Sequence, residues 1–386
     1  MQDFTAALKR RAQQLGFSLT GVCAVATPPH YQQFLQWLDQ GCAGGMRYLP
    51  DRKHAYAHPH WVLEGSRTML MLGTPYCPDR RADEEPEPSR GQGKIARYAR
   101  SDVDYHDVIH RRLKQLRRYV IERFPRAKVR GVVDTAPLLE RDFAQQAGLG
   151  WFGKNTMLIN KRLGSYFFLA ALLTDLELVV DPPHDSAHCG TCRACLDACP
   201  TGALPQPYLL DARRCLSYWT IEHHGMVAEE MIGRLSGWVF GCDICQEVCP
   251  WNRRAPEGDP VFEVQRRGMD LLATLDMDEA AFRHQFRRTP LWRARRCGVI
   301  RNAVLLLVEQ QELAAIPKLR LRLQDPDPMV RQVAAWGLAR LRPPHWQQML
   351  RQAIDAESDP TVEEFLRRLL VEPNGALPAE RSSRDR

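Results

Sequence analysis

Eight of the chain's twelve cysteines lie between positions 189 and 249. They read Cys189-x-x-Cys192-x-x-Cys195-x-x-x-Cys199-Pro200, then Cys215, then Cys242-x-x-Cys245-x-x-x-Cys249-Pro250. Gaps of two residues let one tight loop aim three sulfurs at a common point, and the proline after the last cysteine redirects the chain. This is the spacing that holds 4Fe-4S clusters, and the second run repeats it with its first member displaced upstream to Cys215. In two-cluster proteins of this kind the Cys-Pro cysteine ligates the other cluster. By that analogy Cys189, Cys192, Cys195 and Cys249 hold one cluster, and Cys199, Cys215, Cys242 and Cys245 hold the second. Structural zinc also uses paired Cys-x-x-Cys elements, but two complete runs with two Cys-Pro endings count against it. Disulfides belong to oxidising compartments. Positions 1–25 lack the apolar run of a secretory signal, so a cytoplasmic protein with reduced thiols is expected.

Clusters alone only move electrons, so a site that uses them is sought elsewhere. Asp134 closes an apolar stretch just before a helix, with Arg141 one or two turns on. That position suits a proton-donating carboxyl at the mouth of a pocket, and it equally suits a helix cap; both readings stand. Asp104-Tyr105-His106 reads as a cap and helix start. The glycines of Gly148-Leu149-Gly150 and Gly153-Lys154-Asn155 lack the spacing of a dinucleotide fingerprint or phosphate loop. The strongest basic cluster is Arg283, Arg287, Arg288, Arg293, Arg295, Arg296 and Arg301, interleaved with Phe286 and Trp292 and free of acids from 281 to 308. Seven arginines without a counter-charge suit a phosphate backbone with aromatics for base stacking; the plain alternative is a solvated helix face.

The elements that must position these residues follow from periodicity. Helical spacing marks 3–16, 30–38 and 108–121, and a further helix is expected from Pro137 to about 147. Strands are expected at 20–26, 67–72, 129–133, 157–160 and 166–173, with a charged loop over 79–93. The alternation up to about 180 predicts an α/β or α+β domain. Beyond 271 the signals are helical, and Asp327-Pro328-x-Val330 is echoed by Asp359-Pro360-x-Val362, as in a stack of helix pairs. With 386 residues, 44% hydrophobic content and a formal charge of +7, the chain is long enough for several domains, and no run of about eighteen apolar residues suggests a membrane span.

Four segments together carry a resemblance. They are Val133-Asp134-Thr135-Ala136-Pro137-Leu138-Leu139-Glu140-Arg141, Ala147-Gly148-Leu149-Gly150-Trp151-Phe152-Gly153-Lys154-Asn155, Asp211-Ala212-Arg213-Arg214-Cys215-Leu216-Ser217-Tyr218, and Gly241-Cys242-Asp243-Ile244-Cys245-Gln246. With the displaced Cys215, they make the sequence resemble the epoxyqueuosine reductases, cobalamin-dependent iron-sulfur enzymes of queuosine synthesis on tRNA. The resemblance implies an α+β fold: a nitroreductase-like cobalamin-binding domain (1–181), a two-cluster ferredoxin-like module (182–260), HEAT-like helical repeats that bind tRNA (261–373) and a disordered tail (374–386). It implies cobalamin and two 4Fe-4S clusters as cofactors, and Asp134 as proton donor, kept protonated by an apolar surround. Arg97, Tyr98, Asp134, Lys154, Asn155 and Ser217 fall in its corrinoid-lining segments, and within the basic cluster Arg287, Arg288, Arg293, Arg295, Arg296 and Arg301 are the expected tRNA contacts. The expected partners are tRNA and an external electron donor of flavodoxin or ferredoxin type, with the chain a monomer. The chain departs from the family at 52–59, where Tyr56 stands in place of a basic residue. A corrinoid reductive dehalogenase and a ferredoxin-type carrier are the alternatives, but neither accounts for the arginine cluster and Asp134 together.

Overall fold

A computed structural model describes residues 1–76, 89–253 and 255–372. The chain forms two compact units that interleave in sequence: Met1–Ala82, Ser101–Arg213 and Asp243–Gln265 in the first, Asp83–Arg100, Arg214–Cys242 and Arg266–Arg386 in the second. Compactness and the blocks 1–181, 182–260 and 261–373 are therefore different partitions of the chain. Cys189, Cys192, Cys195, Cys199, Cys245 and Cys249 belong to the first unit, Cys215 and Cys242 to the second.

Nine strands are described: β1 (Leu19–Ala24), β2 (Thr68–Pro75), β3 (Gln92–Ile95), β4 (Val129–Val132), β5 (Trp151–Phe152), β6 (Leu158–Ile159), β7 (Phe167–Thr174), β8 (Trp238–Phe240) and β9 (Gly268–Asp270). The first unit is built on an antiparallel sheet in the order β1-β2-β7-β4. Every residue of β2 is buried, because both sheet faces are covered. Met69 and Met71 face a core with Val132, Phe143 and Leu173; Leu70 and Leu72 face the opposite core with Val22, Leu113 and Leu116. Those leucines come from the helix Tyr105–Arg123, whose apolar stripe was legible at 3.6-residue spacing.

The 148–150 glycines are structural. Gly148 has φ 75°, and a Cβ at Gly150 would meet the Ile159 carbonyl oxygen at 2.1 Å, so the β5–β6 hairpin needs a bare backbone there.

In the second unit β3 is the middle strand of a sheet ordered β8-β3-β9. That corrects the expectation of a loop through 93; the rest of that segment, up to 88, lies outside the described residues, as does the tail 374–386. The helices Arg295–Glu309, Ile316–Arg322, Pro328–Leu341, Trp346–Ala356 and Pro360–Val371 follow. The sequence echo has a physical meaning. Asp327 and Asp359 each cap a helix, accepting from the backbone N–H of Met329 and Val330 and of Thr361 and Val362, and Pro328 and Pro360 occupy first-turn positions that need no N–H.

Candidate active site and cluster-binding loops

Asp134 follows β4 in a left-handed backbone conformation, φ 56°, which short polar side chains tolerate better than others. Consecutive tight turns, Thr135 N–H to the Val133 carbonyl and Leu138 N–H to the Ala136 carbonyl, delay the next helix until Glu140–Gln146. That helix begins three residues later than its proline suggested. It takes no cap from Asp134, its N-cap being Leu139. The carboxylate is instead held sideways: Tyr105 Oη donates to Asp134 Oδ2 at 2.6 Å, and His106 Nε2 lies 3.4 Å from the same oxygen. The Asp134 side chain is 60% exposed, so its surround is polar and open, not the apolar one expected.

The Asp-Tyr-His triplet both starts a helix and builds this site. Asp104 Oδ1 caps the helix through the His106 N–H at 2.9 Å and also meets His106 Nδ1 at 2.7 Å. The Tyr105 ring is stacked between His106 and Phe168, with centroid separations of 4.0 and 4.1 Å. Burial by itself would lower His106, but the hydrogen bonds and charges of Asp104 and Asp134 outweigh it and raise the imidazole to about 9. Glu140 accepts from the Asp134 N–H at 2.8 Å, and burial, then the Asp134 charge, pushes its carboxyl up to about 8. Arg141 donates to the Thr156 carbonyl and faces both carboxyls. The Tyr56 phenol, raised by burial, also faces Glu140 and Asp134. Glu140 carries no pattern that sequence reasoning would single out.

Four thiols of the first unit converge from two loops. Burial raises Cys195 to about 11, helped by Cys249, Cys189 and Cys192; Cys249 is raised by burial and feels Cys189 and Cys192. Trp151, Ile159 and Trp251 pack around Cys249 and Cys189. Polar side chains fix the loops. Lys154 donates to the carbonyls of Gly190 (2.7 Å) and Cys192 (2.8 Å), and Asn155 donates to the Cys245 carbonyl at 3.2 Å. Asn252 donates to the Gln246 carbonyl and accepts from Ser165 N–H, both at 2.7 Å. Lys154 and Asn155 therefore brace the cysteine loops. In the second unit Arg97 is buried, Tyr98 lies against Phe240, and Ser217 immediately precedes the short helix Tyr218–Glu222.

The arginine cluster divides. Arg283, Arg287, Arg288, Arg293 and Arg295 are exposed, whereas Arg296 and Arg301 are buried. Counter-charges exist, contrary to the sequence reading: Arg293 pairs with Glu222 at 2.8 Å, and Arg296 meets the fully buried Asp325. Arg301, at 0% exposure, donates to the carbonyls of Trp219, His223 (2.8 Å) and Gly225 (2.6 Å). These residues lie far apart in sequence from 281–308, which is why the local charge count missed them.

A group of four neighbouring thiols within a mixed helix–sheet unit, in a chain that also carries helical repeats, points to the class of iron-sulfur oxidoreductases. Residues 188–252 match the 4Fe-4S double cluster binding domain, 57–135 the family described as epoxyqueuosine reductase QueG, DUF1730, and 291–370 HEAT repeats. An epoxyqueuosine reductase of Cyclobacterium marinum is 38% identical over 304 residues, covering 78% of this chain and 96% of that one. A crystal structure of epoxyqueuosine reductase with an epoxyqueuosine-modified tRNA-Tyr stem loop superposes with a TM-score of 0.86 at 26% identity, covering 97% and 99% of the two chains. A Bacillus subtilis epoxyqueuosine reductase, described with its aspartate catalytic loop swung out of the active site, gives 0.84 at 26% identity over 96% and 99%. The chain belongs to the epoxyqueuosine reductase family. It is an enzyme of the oxidoreductase class with a double 4Fe-4S cluster domain, and among the described residues no helix is long and apolar enough to cross a membrane.

Proposed function

We propose that this chain reduces the epoxide of epoxyqueuosine at the tRNA wobble position to the cyclopentene of queuosine, with cobalamin, two 4Fe-4S clusters and Asp134 as proton donor. The observation that carries the reading is the Asp134 carboxylate, presented to solvent at a strand end and gripped by Tyr105 and His106. An epoxide is a poor electrophile near neutral pH, and its oxygen leaves readily only if protonated. The relative described with an aspartate catalytic loop supports giving that task to Asp134.

When bound, the clusters and cobalamin supply low-potential electrons and a strong reductant. The donor sets suit them: Cys195 and Cys249 each feel the charges of Cys189 and Cys192, and with Cys199, Cys215, Cys242 and Cys245 the cysteines match the count for two clusters. Arg97, Tyr98, Lys154, Asn155 and Ser217 are hydrogen-bonding side chains of the kind that hold a corrinoid's amide rim. Lys154 and Asn155 would do so indirectly, by placing the cysteine loops. Tyr105 orients the Asp134 carboxyl, and the left-handed turn points it out of the strand end.

The exposed Arg283, Arg287, Arg288, Arg293 and Arg295 are the surface we assign to tRNA phosphates, in keeping with the stem-loop complex of a relative; Arg296 and Arg301 are not in that surface. The functional blocks are 1–181 as a nitroreductase-like cobalamin domain, 182–260 for the clusters and 261–373 for tRNA. The enzyme works as a cytoplasmic monomer fed by a flavodoxin- or ferredoxin-type donor. The test is Asp134→Asn in anaerobically reconstituted protein: clusters, cobalamin uptake and tRNA binding are expected unchanged, with epoxyqueuosine turnover lost. Undiminished turnover would remove Asp134 from the chemistry.

A further inference from the structure

Converting an epoxide to an alkene expels its oxygen as water, so two protons must reach one oxygen, whereas a single carboxyl carries one. Asp134 is linked to a group built to resupply it. His106 Nε2 lies 3.4 Å from Asp134 Oδ2, and His106 Nδ1 is held by Asp104 Oδ1 at 2.7 Å. The ring cannot swing freely, because Tyr105 stacks on it while donating to the same Asp134 oxygen. Asp104 is itself fixed as the cap of the helix Tyr105–Arg123.

We infer that His106, fixed by Asp104, returns a proton to Asp134 between the two protonations, so that one carboxyl delivers both protons. The inference rests on Asp134 being the donor.

The steps balance. The Asp134 carboxyl gives its proton to the epoxide oxygen as the first C–O bond breaks, leaving a carboxylate and a hydroxyl. The imidazolium Nε2–H then passes its proton to Asp134 Oδ2 and becomes neutral imidazole, with Nδ1–H still on Asp104. Asp134 protonates the hydroxyl, the second C–O bond breaks, and water leaves; the two electrons come from the bound redox groups. Solvent reprotonates His106, whose side chain is 27% exposed.

The charged and titratable neighbours keep this proton store loaded. Asp104 and Asp134 face the imidazole and keep it protonated at neutral pH, raising it to about 9 against its burial. Burial and then the Asp134 charge raise the Glu140 carboxyl, which lessens its own negative charge beside Asp134. His110, one turn on, is lowered by burial and by the charge of His106, so it does not compete for the proton. Arg141 and Tyr56 face Asp134 and Glu140. His106 and Asp104 are thus positioning residues that act through Asp134.

The test compares His106→Gln, Asp104→Asn and Asp134→Asn in the reconstituted enzyme on epoxyqueuosine tRNA, with a parallel imidazole NMR titration of the cofactor-free protein. Asn is chosen at 104 because it caps a helix as well as Asp. His106→Gln is expected to slow turnover on the order of 10²-fold and abolish the alkaline limb of the rate profile near pH 9. Asp104→Asn is expected to move that limb, and the His106 NMR titration, down towards the ordinary value of about 6.5. Should His106→Gln keep the parent rate and pH profile while Asp134→Asn is inactive, the relay is overturned and the donor assignment stands. An active Asp134→Asn overturns both. If His106→Gln loses iron or unfolds early, Asp104→Asn and the NMR titration of the parent decide: a parent His106 titrating near 6.5 refutes the relay.

Discussion

Replacing Arg301 by Met separates a buried clamp from a nucleic-acid contact, two roles the same residue type could fill. Its guanidinium is fully enclosed and satisfies three backbone carbonyls of 219–225 together with Asn302 Oδ1 at 2.9 Å. Burial lowers its pKa to about 10, so it remains charged at neutral pH. Methionine fills similar volume but donates nothing, so the three carbonyls lose the guanidinium's hydrogen bonds. Each such group costs about 1–3 kcal/mol; relief from no longer burying a charge, and partial relaxation of the segment, reduce the sum to about 3–5 kcal/mol. In a unit of roughly 150–250 residues this lowers Tm by about 6–20 °C.

The exposed Arg293 is the control. Its pair with Glu222 is worth less than about 1 kcal/mol, so Arg293→Ala should leave Tm nearly unmoved while weakening tRNA binding and flattening its salt dependence. Calorimetric or urea unfolding, run beside a tRNA affinity series at several salt concentrations, reads both effects. An Arg301→Met protein as stable as the parent but deficient in tRNA affinity would refute the clamp.

Two further outcomes test other parts of the structure. Cys249→Ser should remove the cluster held by Cys189, Cys192 and Cys195 and leave the other, dropping iron from about eight to about four per chain; full retention would show that the two loops do not share a cluster. His223 is buried, and burial, then the Arg301 charge, lowers it to about 4. The unfolded chain therefore binds this proton more readily, and its contribution to stability is complete above pH 6.5 and lost as pH falls towards 4, by at most about 3 kcal/mol. Thermal unfolding from pH 7 to 4 should show that loss, and His223→Gln should blunt it.

Much of the site was readable because its signals are local. Cluster cysteines must sit in tight loops, so their spacing is visible in one dimension, and so is an Asp-Pro pair at a helix start. The apolar stripe of 105–123 and the strand before Asp134 were legible for the same reason. The strand β3 was hidden because its pairing partners, β8 and β9, lie about 145 and 175 positions away. Local composition there resembles a loop.

Which arginines face solvent could not be read from 281–308, since Asp325, Glu222 and the carbonyls that Arg301 satisfies come from other segments. The same holds for Asp134. By itself the sequence determined that the chain carries two cluster motifs, a strand ending in an aspartate, and capped helical repeats, because those are set by neighbours in the chain. Tertiary structure alone decided that Asp134 is a bound, solvent-facing carboxyl and not a helix cap, because Tyr105 and His106 reach it across sequence separations of 29 and 28.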